Sequence, residues 1–279
     1  VFWGMNFGID FAGGTLMELR AKNGTADIGM LRNIAEKLGV GDVGVQGFGA
    51  ASDVTLRFGV QPGGDAAQAA AVEKVKTAVS DGYEIRRVET VGPSVSSELV
   101  QSGTLGVVLS IFAVLTYLWF RFEWQFAVSA VIATMHDLLL TVGFFALTHL
   151  EFNTTSIAAI LTIVGYSLNE TVVVLDRIRE MLRKYKRMPT DQIIDMSINA
   201  VLPRTLMTAT TVLLALFALV AFGGQVIRSF SIAMTWGVCV AVYSSIFICS
   251  PMMIYLGLRS ESAGKGEAAK DDTAPAAAR

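Results

Sequence analysis

Three titratable side chains lie deep inside long apolar stretches of the sequence: His136, Asp137 and Glu170. On insertion scales an ionised side chain at the centre of a bilayer costs roughly 2.5–3.5 kcal/mol, so such groups mark functional sites by default. A carboxylate that takes up and releases a proton can couple ion movement to a change in helix packing. These residues are therefore the first candidates for chemistry in this chain.

Glu170 belongs to a stretch with one polar face. Tyr166, Asn169 and Asp176 recur there at helical spacing. Glu170 precedes Asp176 by six residues, which at 1.5 Å per residue places it about 9 Å inside the apolar boundary. Arg204 opens the next apolar stretch from the same side, and Thr208 continues its face at i+4. The two faces are predicted to meet, with Glu170 and Arg204 paired. The alternatives are a polar patch that only joins helices and an arginine that only anchors the topology.

His136 and Asp137 are adjacent in the second apolar stretch. Such a pair could relay a proton, but it makes a weak metal site because neighbouring side chains diverge by about 100° around a helix. The alternative is a hydrogen-bonded pair that faces another helix. The sequence contains no Walker-type phosphate loop and no nucleophile motif. We therefore expect no enzyme activity, no cofactor and no metal.

The elements that carry these groups are long and apolar. The chain is 53% hydrophobic and 16% charged, with a mean hydropathy of +0.53, whereas soluble domains carry roughly 25% charged residues. A helix needs about 20 apolar residues to cross a bilayer. Five stretches of that order cannot all be buried in one small soluble core. The predicted spans are about 101–120, 124–149, 153–176, 204–223 and 229–257.

Basic residues are concentrated after the third predicted span, where residues 177–187 and Arg204 together carry seven Lys and Arg side chains. By the positive-inside rule this segment is predicted to be cytoplasmic. An odd number of spans then places residues 1–98 outside the cytoplasm. Residues 259–279, rich in Ala, Gly and charge, are predicted to form a disordered cytoplasmic tail.

Charge and cysteine content exclude other classes of protein. The formal net charge of −2 gives no basic footprint for nucleic acid. Cys239 and Cys249 both lie in the last apolar stretch, which excludes a secreted domain stabilised by disulfides.

Residues 1–98 carry the pattern of a small α/β domain. The predicted strands are 15–21, 43–48, 54–60 and 83–91. Asp27 and Asp65 are each predicted to cap the start of a helix. The order β-α-β-β-α-β is that of a ferredoxin-like unit. Residues 8–14 (GIDFAGG) are predicted to start a strand with a Gly-Gly bulge or turn, since no helix or Lys-Ser/Thr follows that would make a phosphate loop.

Several of these motifs together resemble the SecF members of the SecD/SecF family of bacterial protein-export membrane proteins. The matching segments are GIDFAGGT at 8–15, VGP at 91–93, His136-Asp137, the run at 157–180 and RTL at 204–206. The resemblance extends from about Phe7 to Tyr255, and the run at 157–180 is its most specific part. The family motif residues are Gly8, Ile9, Asp10, Phe11, Gly13 and Gly14.

This resemblance implies a six-span protein of the bacterial inner membrane with its first span just before the motif, so a further span is expected before Val1. It implies that the protein promotes protein export with the proton-motive force. The implied partners are SecD, the SecYEG channel, a small YajC-like subunit, unfolded preproteins and membrane lipid. The family usually has Asp where this chain has Glu170, and that residue is implicated in proton movement with the arginine at position 204.

The proton-coupling candidates are therefore Glu170, Arg204, Asn169 and Asp137. Our hypothesis from the sequence is that protonation of Glu170 releases Arg204 and lets the helices shift. The main alternative function is a small-molecule exporter subunit of the resistance-nodulation-division type, which would act as a self-sufficient dimer. A second alternative is a non-transporting scaffold, in which Glu170 and Arg204 could be replaced without loss.

Overall fold

The computed structural model describes residues 4–47, 50–224 and 227–258. The described residues divide into two compact units, the first within 1–108, 145–158 and 222–230 and the second within 109–144, 159–221 and 231–279. The segment 259–279, predicted to be a disordered tail, lies outside the described residues.

A four-stranded antiparallel sheet forms the core of the first unit. In chain order the short elements are β1 (Asn6–Phe7), α1 (Ile9–Ala12), β2 (Gly14–Ala21), α2 (Ile28–Lys37), β3 (Val43–Gly47), β4 (Asp53–Phe58), α3 (Gly64–Val79), β5 (Tyr83–Val91) and β6 (Glu151–Phe152). The sheet order is β3-β4-β2-β5, and the separate pair β1–β6 is parallel. This is the ferredoxin-like arrangement that the sequence predicted.

Alternating apolar side chains hold the sheet to its two long helices. In β4 the buried side chains are Val54, Leu56 and Phe58, which share one face because successive side chains of a strand point to opposite sides. Asp27 caps α2, as predicted, by accepting a hydrogen bond of 2.9 Å from the N–H of Met30. The predicted cap of α3 was wrong. Gly63 occupies that position, and Asp65 lies in the first turn.

The described part of the chain has five helical segments that are each long and apolar enough to cross a membrane. Their elements are α4 (Pro93–Arg121), α5 (Trp124–Thr148), α6 (Thr154–Lys184), α7 (Thr190–Phe222), and α8 (Arg228–Ser244), which continues through a π-helical turn (Ser245–Cys249) into α9 (Ser250–Tyr255). The helices α4, α6 and α7 are longer than the predicted apolar spans, whereas α5 and the last segment agree with theirs to within two residues. The basic segment predicted as a loop is mostly helical, because α6 continues through it to Lys184.

The last span has two features that follow from its sequence. The π-helical turn immediately precedes α9, where Pro251 cannot donate a backbone hydrogen bond. The small residues Ala233 and Gly237 lie on the buried face of α8. A Cβ atom at Gly237 would overlap the side chain of Ile163, so this glycine allows α6 and α8 to pack closely.

Candidate functional site

Glu170 lies at the contact between α6 and α7. Its side chain is buried, with 3% of the residue exposed. The Oγ1 hydroxyl of Thr208 on α7 donates a hydrogen bond of 3.1 Å to Glu170 Oε1. The same hydroxyl lies 3.0 Å from the carbonyl oxygen of Thr205. A hydroxyl group of the neighbouring helix therefore holds this carboxylate.

The predicted ion pair between Glu170 and Arg204 is absent from the structure. α7 begins at Thr190, so Arg204 lies well inside the helix and not at its start. Arg204 is exposed, whereas the next residue, Thr205, is buried. Adjacent side chains of a helix diverge by about 100°, and the buried direction at this turn belongs to Thr205. The pairing part of the sequence hypothesis is therefore wrong for this structure.

Several buried hydroxyl groups lie on the residues next to this contact. Tyr166 Oη, Thr171 Oγ1 and Thr205 Oγ1 have no hydrogen-bond partner within the part of the chain that the structure describes. Tyr166 lies one helical turn before Glu170, and Thr171 directly follows it. Asn169, also a predicted candidate, is exposed. A buried carboxylate among unpaired hydroxyls has groups that can reorganise when its charge changes.

Asp137 is a second buried carboxylate, with 1% of the residue exposed. Its Oδ2 accepts hydrogen bonds from Ser167 Oγ of α6 at 2.5 Å and from Ser244 Oγ of α8 at 2.7 Å. His136 Nδ1 is hydrogen-bonded to Asp137 Oδ1 at 3.1 Å. Asp137 on α5 therefore connects three helices, which agrees with the alternative of a hydrogen-bonded pair that faces its neighbours.

The motif at residues 8–14 leads into a strand through a Gly-Gly turn, as predicted, but the residues before that turn form a short helix that was not predicted. It forms the one-turn helix α1, and Gly13 and Gly14 then turn the chain into β2 with φ angles of 71° and 113°. A Cβ atom at Gly13 would lie 2.6 Å from Cγ2 of Val60, and one at Gly14 would overlap the carbonyl oxygen of Phe58. Both the positive φ angles and the close approach therefore require glycine.

Asp10 of this motif caps a helix that begins 144 residues later. Its Oδ2 accepts hydrogen bonds from the backbone N–H of Thr154 at 2.9 Å and from Thr154 Oγ1 at 2.7 Å. Thr154 is the first residue of α6. A carboxylate at this position satisfies a free N–H group and interacts favourably with the helix dipole.

An aromatic cluster around Phe152 completes the junction. The ring of Phe11 lies 5.6 Å from that of Phe152, and the ring of Phe145 lies 5.2 Å from it on an edge-to-face approach. In the parallel pair β1–β6, Phe7 is the partner of Phe152. The motif therefore holds the connection between α5 and α6 by backbone, aromatic and carboxylate contacts.

Glu151 is the perturbed titratable group of this junction. Burial raises the pKa of its carboxyl above the ordinary value near 4.5, and the charges of Asp10 and Glu89 raise it further, against the opposing effect of Arg57. The guanidinium group of Arg57 donates a hydrogen bond of 2.6 Å to the carbonyl oxygen of Phe7.

Sequence reasoning identified the buried carboxylates and some of their partners. The hydrogen bond between His136 and Asp137 was predicted and is present, and Thr208 was predicted to lie on the face that meets Glu170. Ser167 and Ser244 were not predicted as partners of Asp137, because the only signal for each was a hydroxyl residue within an apolar run. Thr154 was also missed, because nothing local in the sequence relates it to Asp10. Among the residues that the structure describes, no three His, Cys, Asp or Glu side chains are grouped as they would be around a metal ion.

Comparison with known proteins identifies the family. The model described as "Protein export membrane protein SecD/SecF, C-terminal" matches residues 71–259, and the model described as "SecD/SecF GG Motif" matches residues 4–25. The protein translocase subunit SecF of Rickettsia bellii is 44% identical over 252 residues, which are 89% of this chain and 82% of that protein. SecF of Rhodobacter capsulatus is 43% identical over 271 residues, which cover 91% of this chain and 81% of that protein.

Longer relatives contain a segment that is similar to this chain. The protein translocase subunit SecDF of Brucella abortus is 43% identical over 265 residues, which are 95% of this chain but 35% of that protein. The crystal structure of SecDF from Thermus thermophilus, titled a translocon-associated membrane protein, matches with a TM-score of 0.78 and 33% identity over 90% of this chain and 34% of that chain. The chain thus spans about a third of the SecDF proteins and four fifths of the SecF proteins. It belongs to the SecD/SecF family of protein export membrane proteins.

Proposed function

We propose that this chain is a SecF-type accessory subunit of the Sec preprotein translocase. In this role it uses the proton-motive force, together with SecD, to promote protein export across the bacterial cytoplasmic membrane. The observation that carries the proposal is a buried carboxylate, Glu170, on a membrane helix of a chain that matches SecF proteins over four fifths of their length. The chain acts as a transport component and not as an enzyme.

SecD is the first proposed partner. Relatives named SecDF contain a segment similar to this chain within one longer polypeptide, which supports a matching SecD subunit for it. The SecYEG channel, a YajC-like subunit and unfolded preproteins follow from the same assignment. The orientation proposed from the basic residues places the sheet domain outside the cytoplasm and the segment after α6 inside it.

Glu170 couples proton movement to the contact between α6 and α7. When ionised, it accepts a charge-assisted hydrogen bond from Thr208, and protonation removes that charge and weakens the bond. The unpaired hydroxyls of Tyr166 and Thr205 then offer alternative partners. One charge that crosses 100 mV supplies about 2.3 kcal/mol, which biases a two-state contact about fiftyfold.

The helix α6 transmits this change towards the sheet domain. Thr154 and Glu170 lie sixteen residues apart on this one helix, and Asp10 accepts hydrogen bonds from Thr154 at its start. The continuity of the chain in α6 supports transmission from Glu170 to Asp10.

The alternative of a small-molecule exporter is not favoured, because the matching family models and relatives are those of SecD and SecF. Preprotein translocation into vesicles that contain the SecYEG channel distinguishes the two functions. With a proton gradient, adding the full-length subunit and its SecD partner is expected to increase the amount of protease-protected preprotein. Extrusion of a dye with no effect on the preprotein would instead support the exporter.

A further inference from the structure

Basic side chains surround an open cleft where α4 and α6 end. The cleft has a volume of about 480 Å³, and its lining combines four cationic with two anionic groups. The lining residues are Arg121, Asp176, Arg179, Glu180, Arg183 and Lys184. The proposed coupling mechanism uses none of them.

The two carboxylates of the cleft are already paired. Arg121 Nη2 donates to both oxygens of Asp176, at 3.0 and 3.1 Å. Arg177 Nη1, outside the lining, donates to Glu180 Oε2 at 2.7 Å. The negative charges of the lining are therefore neutralised by neighbours, and its remaining cations face the open space.

Arg179, Arg183 and Lys184 are those remaining cations. None of the three forms an ion pair with another described residue of the chain. Arg179 Nε is buried without a hydrogen-bond partner. Guanidinium groups present planar N–H donors that match two oxygens of a phosphate. Among the described residues, these three cations therefore have no anionic group to pair with.

The aromatic side chains next to Arg121 indicate which source of phosphate fits. Trp119 is 66% exposed and Trp124 is 50% exposed. Exposed tryptophans at the ends of apolar helices are typical of the headgroup region of a membrane. The ring of Phe122 lies 4.9 Å from the guanidinium carbon of Arg121 and fixes that side chain at the same level. These exposed tryptophans on both sides of Arg121 favour a lipid phosphate over a soluble one as the ligand of the cleft.

We propose that this cleft binds the phosphate of an anionic phospholipid. Arg179 and Arg183 donate to the phosphate oxygens, Lys184 adds charge at the rim, and the exposed tryptophans lie at the level of the headgroup. Anionic lipids are attracted to such juxtamembrane basic groups. The proposal requires only that the helices span a membrane, so it is independent of the role of Glu170.

Native mass spectrometry of the full chain in detergent, titrated with phosphatidylglycerol or phosphatidylcholine, tests the proposal. Phosphatidylglycerol is expected to bind about tenfold more tightly than phosphatidylcholine. The double variant Arg179→Gln/Arg183→Gln is expected to lose most of this preference. The matched control Lys186→Gln/Arg187→Gln removes two charges from the same segment outside the cleft, and it is expected to keep the preference.

Each other outcome overturns the proposal. Equal losses in both double variants would mean general attraction of the basic segment and no built site. Equal binding of the two lipids would remove the role of the phosphate charge. Full competition by inorganic phosphate at about the same concentration as the lipid would identify a soluble anion as the ligand.

The variant Arg179→Lys, which keeps the charge but not the planar donors, is expected to bind more weakly than the native chain.

Discussion

Asp10, in the short motif that leads into β2, accepts hydrogen bonds from both the backbone N–H and the hydroxyl of Thr154, the first residue of α6. A helix cap is usually supplied by the residue just before the helix, and Asn153 supplies it here by accepting a hydrogen bond of 3.1 Å from the backbone N–H of Ser156. Asp10 adds a second acceptor for the first turn from 144 residues away. The helix that carries Glu170 is thus fixed at its start by the motif that gives the family its sequence signature.

Replacement of Asp10 tests this cap. The variant Asp10→Ala removes both hydrogen bonds and is expected to lower the free energy of unfolding by about 1–2 kcal/mol. Asp10→Asn keeps an acceptor oxygen without the charge and should give an intermediate value. Thermal unfolding of the full chain in detergent measures both variants. An unchanged midpoint in Asp10→Ala would show that the contact contributes nothing to stability.

Two glycines with positive φ angles provide a matched pair. At Gly14 an added Cβ atom would overlap the carbonyl oxygen of Phe58, whereas at Gly39 it would meet nothing within 4 Å. Gly39→Ala is therefore expected to cost about 1 kcal/mol of backbone strain, and Gly14→Ala about 3 kcal/mol from strain and overlap together. Protease resistance of the folded chain measures the difference. Equal effects would contradict the assigned close approach.

The hydrogen bonds to Asp137 should stabilise the packing of three helices. Ser167→Ala and Ser244→Ala each remove a donor to Asp137 Oδ2 and are expected to cost about 1–3 kcal/mol. Ser129→Ala is the control, because the buried hydroxyl of Ser129 donates only to Gln125 of its own helix. Thermal unfolding in detergent compares the three variants. A loss in Ser129→Ala as large as in the other two would argue against a special role for Asp137.

The raised pKa of Glu151 predicts that the stability of the folded chain depends on pH. Burial raises the pKa of its carboxyl in the folded chain, so the folded state binds this proton more tightly than the unfolded state. The resulting stabilisation is complete below the ordinary pKa near 4.5 and is lost as the pH rises through the raised folded value. Glu151→Gln should flatten this part of the profile of unfolding temperature against pH. The exposed Glu84→Gln should leave it unchanged, and the opposite pattern would refute the assignment.

Most of the fold follows from patterns that act over short distances. Strict alternation in β4 and helical spacing in α2 place side chains on one face, so their sequence predicts the element and its buried side. Length and apolarity predict the membrane helices in the same way. These patterns do not predict where a helix ends once it leaves the apolar region, as at Lys184, because polar residues are compatible with further helix.

The carboxylates of the candidate site were predictable, and their partners were predictable in part. Glu170 and Asp137 are conspicuous because a charge in an apolar stretch is costly. Helical spacing placed Thr208 on the same face as Arg204, but it did not predict that Thr208 and not Arg204 contacts Glu170, since α7 is apolar on most sides and its sequence does not fix its rotation against α6. The contact of Asp10 with Thr154 depends on the folded arrangement of distant segments, which no local pattern specifies.

The central claim is that Glu170 couples the proton gradient to export. Preprotein translocation into vesicles that contain SecD and the channel measures it most directly, with native chain, Glu170→Gln and Glu170→Asp, each with and without a proton gradient. The account predicts that the gradient stimulates translocation for the native chain, and also for Glu170→Asp, which keeps a titratable carboxyl. It predicts no stimulation for Glu170→Gln, although that variant folds and assembles. Equal stimulation of native and Glu170→Gln vesicles would contradict the account.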